Sequence, residues 1–151
     1  FDSGDIQSLA HLKQIAQIAS NLPEVKFWLP TKEYGFVQSF LEENRLPENL
    51  TIRLSGYMID GPAPVALASR LGVVTSTVVS QGFSCPASGQ GNKCLSCRAC
   101  WDKQENNVAY KHHWLSKTKV ERSKDEEAAV FQISLCKEIP LKTSSGKRLP
   151  R

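Results

Sequence analysis

Val25-Lys26-Phe27-Trp28-Leu29, Leu50-Thr51-Ile52-Arg53-Leu54 and Val73-Val74-Thr75-Ser76-Thr77-Val78-Val79 are the three stretches whose reading decides the fold. Each is short, apolar or β-branched, and set off by residues that break regular structure, which is the pattern of a buried strand. Pro23 and Pro30 flank the first, Asn49 precedes the second, and Asp60-Gly61-Pro62 makes a turn after it. Between the first two runs, Phe36, Val37, Phe40 and Leu41 form an apolar stripe at helical spacing, with Thr31 placed to cap it.

Working outward, Leu9, Leu12, Ile15, Ala16, Ala19 and Leu22 predict an earlier helix, capped by Asp5 or Ser8 and closed by Pro23. Residues 63–71 read as a short helix or an irregular loop, and Asn107-Val108-Ala109-Tyr110-Lys111 as a short strand. Phe1 reads as the end of a further strand. Alternating strands and helices imply parallel neighbours joined by right-handed crossovers. The expected fold is therefore α/β: a small, partly parallel sheet built of β-α units. A cysteine-rich metal-binding loop and an irregular basic C-terminal region follow it. Residues 1–115 read as one domain containing the cysteine-rich loop at 84–103. Residues 116–151 read as an extension, packed or partly flexible, in which 128–139 suits either an edge strand or a helix.

The chain has 151 residues, 40% hydrophobic and 23% charged, enough apolar material for one real core. No apolar run approaches the roughly 18 residues of a membrane span. The start lacks the basic and apolar regions of a secretory signal, so the expected setting is cytoplasmic. The net charge of +4 is mild, and Lys137, Lys142, Lys147, Arg148 and Arg151 near the end supply much of it. A solvated tail explains that excess at least as well as a nucleic-acid partner does.

Chemistry concentrates in Cys85-Pro86-Ala87-Ser88-Gly89-Gln90-Gly91-Asn92-Lys93-Cys94-Leu95-Ser96-Cys97-Arg98-Ala99-Cys100. The spacing is C-x8-C-x2-C-x2-C. An odd total of five cysteines with four so close together argues against a disulfide framework. Thiolates are soft donors suited to zinc or to iron–sulfur clusters. A zinc ribbon joins two separate C-x2-C knuckles, whereas two successive x2 gaps wrap three corners of a cubane. Cys85 is the nearby fourth donor. The expected cofactor is thus one [4Fe–4S] cluster held by Cys85, Cys94, Cys97 and Cys100, with zinc as the alternative. Cys136 lies in an apolar stretch and reads as a buried small hydrophobe.

Lys93, Arg98 and Lys103 bring positive charge to this segment, and Trp101 is placed to shield it from water. His112 and His113 follow, but four cysteines already complete a site; His11 reads as solvated. Asp2, Asp5 and Glu33 fall near the carboxyl ends of predicted strands, where α/β proteins gather functional groups. If the strands are parallel, these loops and Ser55-Gly56-Tyr57 face the metal site. Helix capping is the simpler role for Asp5 and Thr31, and no catalytic residue is assigned. No dinucleotide, Walker or zinc-protease motif is present.

Asp2-Ser3-Gly4-Asp5, Phe27-Trp28-Leu29-Pro30-Thr31-Lys32-Glu33-Tyr34, Asn49-Leu50-Thr51-Ile52-Arg53-Leu54-Ser55 and Gln90-Gly91-Asn92-Lys93-Cys94 through Trp101 together resemble the phage "gene product 88"-like family. The resemblance spans roughly residues 1–113 and implies a viral accessory protein acting inside a bacterial host. Radical-SAM enzymes also place a cluster on a partial barrel, but their C-x3-C-x2-C triplet is absent, and four cysteine ligands leave no open iron. The functional expectation is an iron–sulfur protein with a redox, sensing or structural role and an unidentified redox partner. The alternative is a zinc-stabilised nucleic-acid-binding module. Neither requires a membrane.

Overall fold

Four β-prone runs pair side by side in the computed structural model, which describes residues 5–113. The elements are α1 (Leu9–Asn21), β1 (Phe27–Thr31), α2 (Tyr34–Glu43), β2 (Leu50–Ser55), α3 (Val65–Leu71), β3 (Val74–Val79) and β4 (Asn107–Lys111). Two short 3-10 turns, Pro86–Gly89 and Ala99–Trp101, interrupt the long β3–β4 connection. The strands lie in the order β1-β2-β3-β4 and every neighbouring pair is parallel. The α/β reading is therefore correct, and among the described residues the sheet is wholly parallel. Phe1, Asp2, Cys136 and the expected C-terminal elements fall outside the described residues.

Local chemistry explains the boundaries. Ser8 caps α1, its hydroxyl accepting the His11 amide at 3.1 Å. Asp5 does something else, described below. Strand β1 runs through Pro30, which the sequence suggested as its end. Pro lacks a ladder donor, but among the described residues β1 is an edge strand with one side unpaired. Thr31 does not cap α2: it is the last residue of β1, and Glu33 precedes the helix without a side-chain cap. The Thr31 hydroxyl instead accepts the Glu33 amide at 3.0 Å. Helix α3 ends at Gly72, whose φ of 66° is a left-handed conformation that glycine adopts at little cost.

Side-chain alternation sorts the sheet into two faces. Phe27, Leu29, Leu50, Ile52 and Leu54 point to one side and pack with Leu12, Ile15, Ala19, Val37, Phe40 and Ala68 of the three helices. Each such fully buried aliphatic or aromatic side chain stabilises the fold by about 1.5–3 kcal/mol before entropy is counted. Thr51 and Arg53 point to the other side, where residues 99–105 cover them. The β3–β4 connection thus crosses the face opposite the helices. Because the strand order keeps advancing in one direction, a connection on that face has the opposite hand to those through α2 and α3. Right-handed crossovers make up about 98% of such connections, so this one departs from expectation. It is also the one that carries the cysteines.

Candidate metal centre

Cys85, Cys94, Cys97 and Cys100 line one small cavity together with Pro86, Ala87, Ala99, Trp101 and Val108. No disulfide joins them. The site lies over the face of the sheet, against Val108 of β4, and not at the strands' carboxyl ends. Burial is graded: Cys100 is buried, Cys85 and Cys97 are half-buried, and Cys94 is exposed.

The backbone around the thiols is shaped by specific bonds. The Cys85 and Ser84 amides both donate to the Ala109 carbonyl at 3.0 Å, tying the loop's entry to β4. The Cys97 amide donates to the Cys94 carbonyl at 2.8 Å, closing the C-x2-C turn. Leu95, inside that turn, has a φ of 46°, and Asn92 just before it 59°. Asparagine tolerates this region; leucine occupies it under strain, which is characteristic of loops shaped for a ligand.

Arg53 is the largest fully buried side chain. Its Nε donates to the Cys100 carbonyl at 3.0 Å, Nη1 to Thr75 and Glu105 at 2.9 Å each, and Nη2 to Ala99 at 2.5 Å and Asp102 at 2.8 Å. All five guanidinium protons meet main-chain oxygens. Four of those oxygens belong to residues 99–105, so one side chain of β2 fixes the end of the cysteine segment. Burial lowers the Arg53 pKa, with nearby Tyr110, Cys100, Glu105 and Asp102 pulling it back. Guanidinium stays protonated regardless. Thr51 adds a bond from its hydroxyl to the Trp101 carbonyl at 2.9 Å.

Cys100 Sγ stands 3.2 Å from the Tyr110 hydroxyl. Burial raises the Cys100 pKa; the Tyr110 hydrogen bond and Arg53 oppose it, while the neighbouring Cys85 and Cys94 thiols add to it. Burial first, then Cys100, also pushes the Tyr110 hydroxyl far upward, so it remains a donor. Trp28 packs against Trp101 and Tyr110 with ring centroids 6.2 Å and 6.1 Å apart. The Trp28 and Trp101 indole nitrogens are buried without an acceptor among the described residues. A buried donor left unpaired costs about 1–3 kcal/mol.

These residues fit a thiolate-bound inorganic group by three criteria. Four soft donors share one cavity. Their mutual repulsion on ionising calls for a cation. Trp101, whose indole N–H has no partner among the described residues, lines the same cavity. Among the described residues, no three His, Cys, Asp or Glu side chains stand together as ligands of a single ion.

Other sequence candidates go elsewhere. Neither Asp5 nor Glu33 nor Ser55 lines the cavity. The Asp5 carboxylate accepts the Thr31 hydroxyl at 2.5 Å, the Lys32 amide at 2.6 Å and the Ile6 amide at 2.7 Å, which makes it a brace for the end of β1. Tyr34 donates its hydroxyl to the Ser55 carbonyl at the end of β2. No histidine lines the cavity. Sequence reading missed Arg53 and Tyr110. An arginine inside an otherwise apolar central strand was the available signal for the first.

A profile of the gene product 88 family matches residues 1–103, a span that includes all four clustered cysteines. No curated protein and no solved structure matches the chain.

Proposed function

This chain belongs to the gene product 88 family of phage proteins, and from that premise we propose that it is an iron–sulfur protein. Cys85, Cys94, Cys97 and Cys100 are the ligands of one [4Fe–4S] cluster, with a redox, sensing or structural role in the host cytoplasm. The observation that supports this reading is that all four thiols of the C-x8-C-x2-C-x2-C segment line one cavity. Zinc would draw four sulfurs to about 2.3 Å from one centre. A cubane has four separate iron corners, three of which the two successive x2 gaps suit.

When bound, such a cluster stores and releases single electrons. The protein's own groups set the terms. Arg53 and the Tyr110 hydroxyl favour added negative charge at Cys100, and Trp28 with Trp101 keeps water from the buried side. The cluster's burial and hydrogen bonding are the levers by which proteins place its potential between about −700 and +450 mV.

The test is anaerobic purification followed by quantification of iron, acid-labile sulfide and zinc, with a visible spectrum. About four irons and four sulfides per chain, with brown charge-transfer absorption that bleaches on reduction, is the expected result. Stoichiometric zinc in a colourless sample would overturn it. The reading that would then replace it is a zinc-stabilised nucleic-acid-binding module. One observation favours that alternative: Arg45, Arg70 and Lys103 line a cleft at the amino ends of β2 and β3. Steeply salt-dependent DNA or RNA binding would support it.

A further inference from the structure

We propose that the cleft at the amino ends of β2 and β3 binds a nucleoside phosphate. Arg45, Arg70 and Lys103 take the phosphates, and the apolar wall of the same cleft takes the base. This site is independent of what the four cysteines hold.

Strand register creates the space. Pairing between β2 and β3 begins only at Arg53 with Val74. Leu50, Thr51 and Ile52 of β2 therefore run ahead of β3, and they line a cleft of about 810 Å³. Small-molecule sites occupy roughly 300–1,000 Å³. Three separate parts of the chain meet around it. Arg45 follows α2, Arg70 lies in the last turn of α3, and Lys103 comes from the β3–β4 connection. The half-buried side chains of Leu41, Leu46, Leu71 and Val73 supply apolar wall.

Charge sets the sign of the ligand. Arg45, Arg70 and Lys103 are exposed, and among the described residues none of them forms a salt bridge. Arg70 donates to the neutral Gln38 amide at 3.5 Å. Helices α2 and α3 both end here, and a cation at a helix carboxyl end answers the helix dipole. That accounts for one arginine apiece. It does not account for Lys103, which belongs to neither helix. Desolvation lowers the Lys103 pKa, with Glu48 opposing, and a bound anion favours the charged ammonium in the same way as Glu48.

Charge also limits the length of the ligand. The lining carries these three cations against one carboxylate, Glu42. The neighbouring hollow shares Thr51 and Lys103 with the cleft, and there Lys26, Arg98 and Lys103 face Glu24, Glu48 and Asp102. Its charges cancel. A nucleic-acid strand leaving the cleft on that side meets no continuing basic track, whereas the phosphates of a single nucleotide stay where the surplus lies. The apolar wall adds contact area that inorganic phosphate leaves unused.

The test uses the full chain. ATP, GTP, CTP and UTP are titrated by calorimetry, with the parent nucleosides, inorganic tripolyphosphate and a short single-stranded DNA as comparisons. At least one nucleotide is expected to bind at one site with Kd below about 1 mM. It is expected to bind at least about tenfold more tightly than its nucleoside or tripolyphosphate alone. Arg45→Gln, Arg70→Gln and Lys103→Gln are each expected to weaken binding about tenfold or more, as loss of a charge-assisted hydrogen bond does. Lys26→Gln, in the neighbouring hollow, is expected to leave it unchanged. In the wild type, the nucleotide is expected to slow acetylation of Lys103 by an activated ester, read by mass spectrometry, and to spare no other lysine as strongly. This readout needs no variant to fold. Nucleotides held no more tightly than tripolyphosphate, or a Lys26→Gln chain weakened as much as Lys103→Gln, would overturn the inference in favour of diffuse attraction for anions. DNA bound more tightly than every nucleotide would replace it with a strand-binding surface. Absence of saturable binding by all four nucleotides would end it, whatever the iron content of the chain.

Discussion

The hydroxyl of Tyr110 lies 3.2 Å from Sγ of Cys100, linking the last strand of the sheet to the last cysteine of the loop. A hydrogen bond to a thiolate stabilises the more negative, reduced state of whatever the thiolate binds. Tyr110→Phe removes the donor and keeps the ring that packs on Trp28. The expected outcome is unchanged iron content and a midpoint potential shifted to more negative values, read by an anaerobic redox titration. A shift to more positive values would contradict the assignment.

Arg53→Met leaves five buried or part-buried carbonyls without their donor. Each unpaired buried group costs about 1–3 kcal/mol, so the loss is expected to be at least about 3 kcal/mol even after relaxation. Arg53→Lys offers three donors in place of five and should recover only part of it. Urea unfolding midpoints of the three proteins, compared at constant slope, check the ranking.

Asp5 braces the end of β1. Asp5→Ala removes three hydrogen bonds, two of them to Thr31 and Lys32 at the end of β1 and one to Ile6, and a loss of about 1–3 kcal/mol is expected. Iron content and visible spectrum should match the wild type. A variant of normal stability that loses its cluster would show that Asp5 belongs to the site after all.

Asp60 provides a pH signature. Its carboxylate accepts the Ser80 hydroxyl and amide, both at 2.7 Å, and these bonds lower its pKa from the ordinary 3.8. A depressed carboxyl pKa contributes stability that is fully present above the unfolded value and lost as pH falls through the folded one. The tie between Asp60 and the end of β3 therefore persists at neutral pH and is released only in acid. The Ser80 amide resonance is expected to titrate with a midpoint below 3.8, and Asp60→Asn to abolish that titration.

Reconstitution should also be visible from inside the protein. Trp101 lines the cysteine cavity and Trp28 packs against it. An absorbing cluster at that distance quenches indole emission. Fluorescence is expected to fall on loading and to recover on chelation, and Trp101→Phe should shrink the change. Emission indifferent to iron would contradict the placement.

The strands were legible because their residues announce them locally. Leu50-Thr51-Ile52-Arg53-Leu54 is short, apolar and bounded, and it forms β2 almost as read. The four clustered cysteines were legible for the same reason: spacing along the chain is a local property, and the fold does bring those thiols to one cavity. What was not legible depends on position in the sheet. Pro30 stops a strand only if its missing N–H is needed, and on an edge it is not. Thr31 has a capping side chain but is claimed by Asp5, twenty-six residues away in sequence. The roles of Arg53 and Tyr110 come from non-local pairing. So does the hand of the β3–β4 connection, because no residue pattern records which face a loop will cross.

On the iron–sulfur proposal, that connection has a consequence for a cell short of iron. One wall of this sheet is built from hydrocarbon. The other is mostly backbone, tied down by Arg53, by Thr51 and by the Ser84 and Cys85 amides, with Trp101 against Trp28. Under starvation the helical wall would persist while the mineral wall gaped. Proteases would then cut first between Cys85 and Asn107, making the lifetime of the protein a gauge of metal supply.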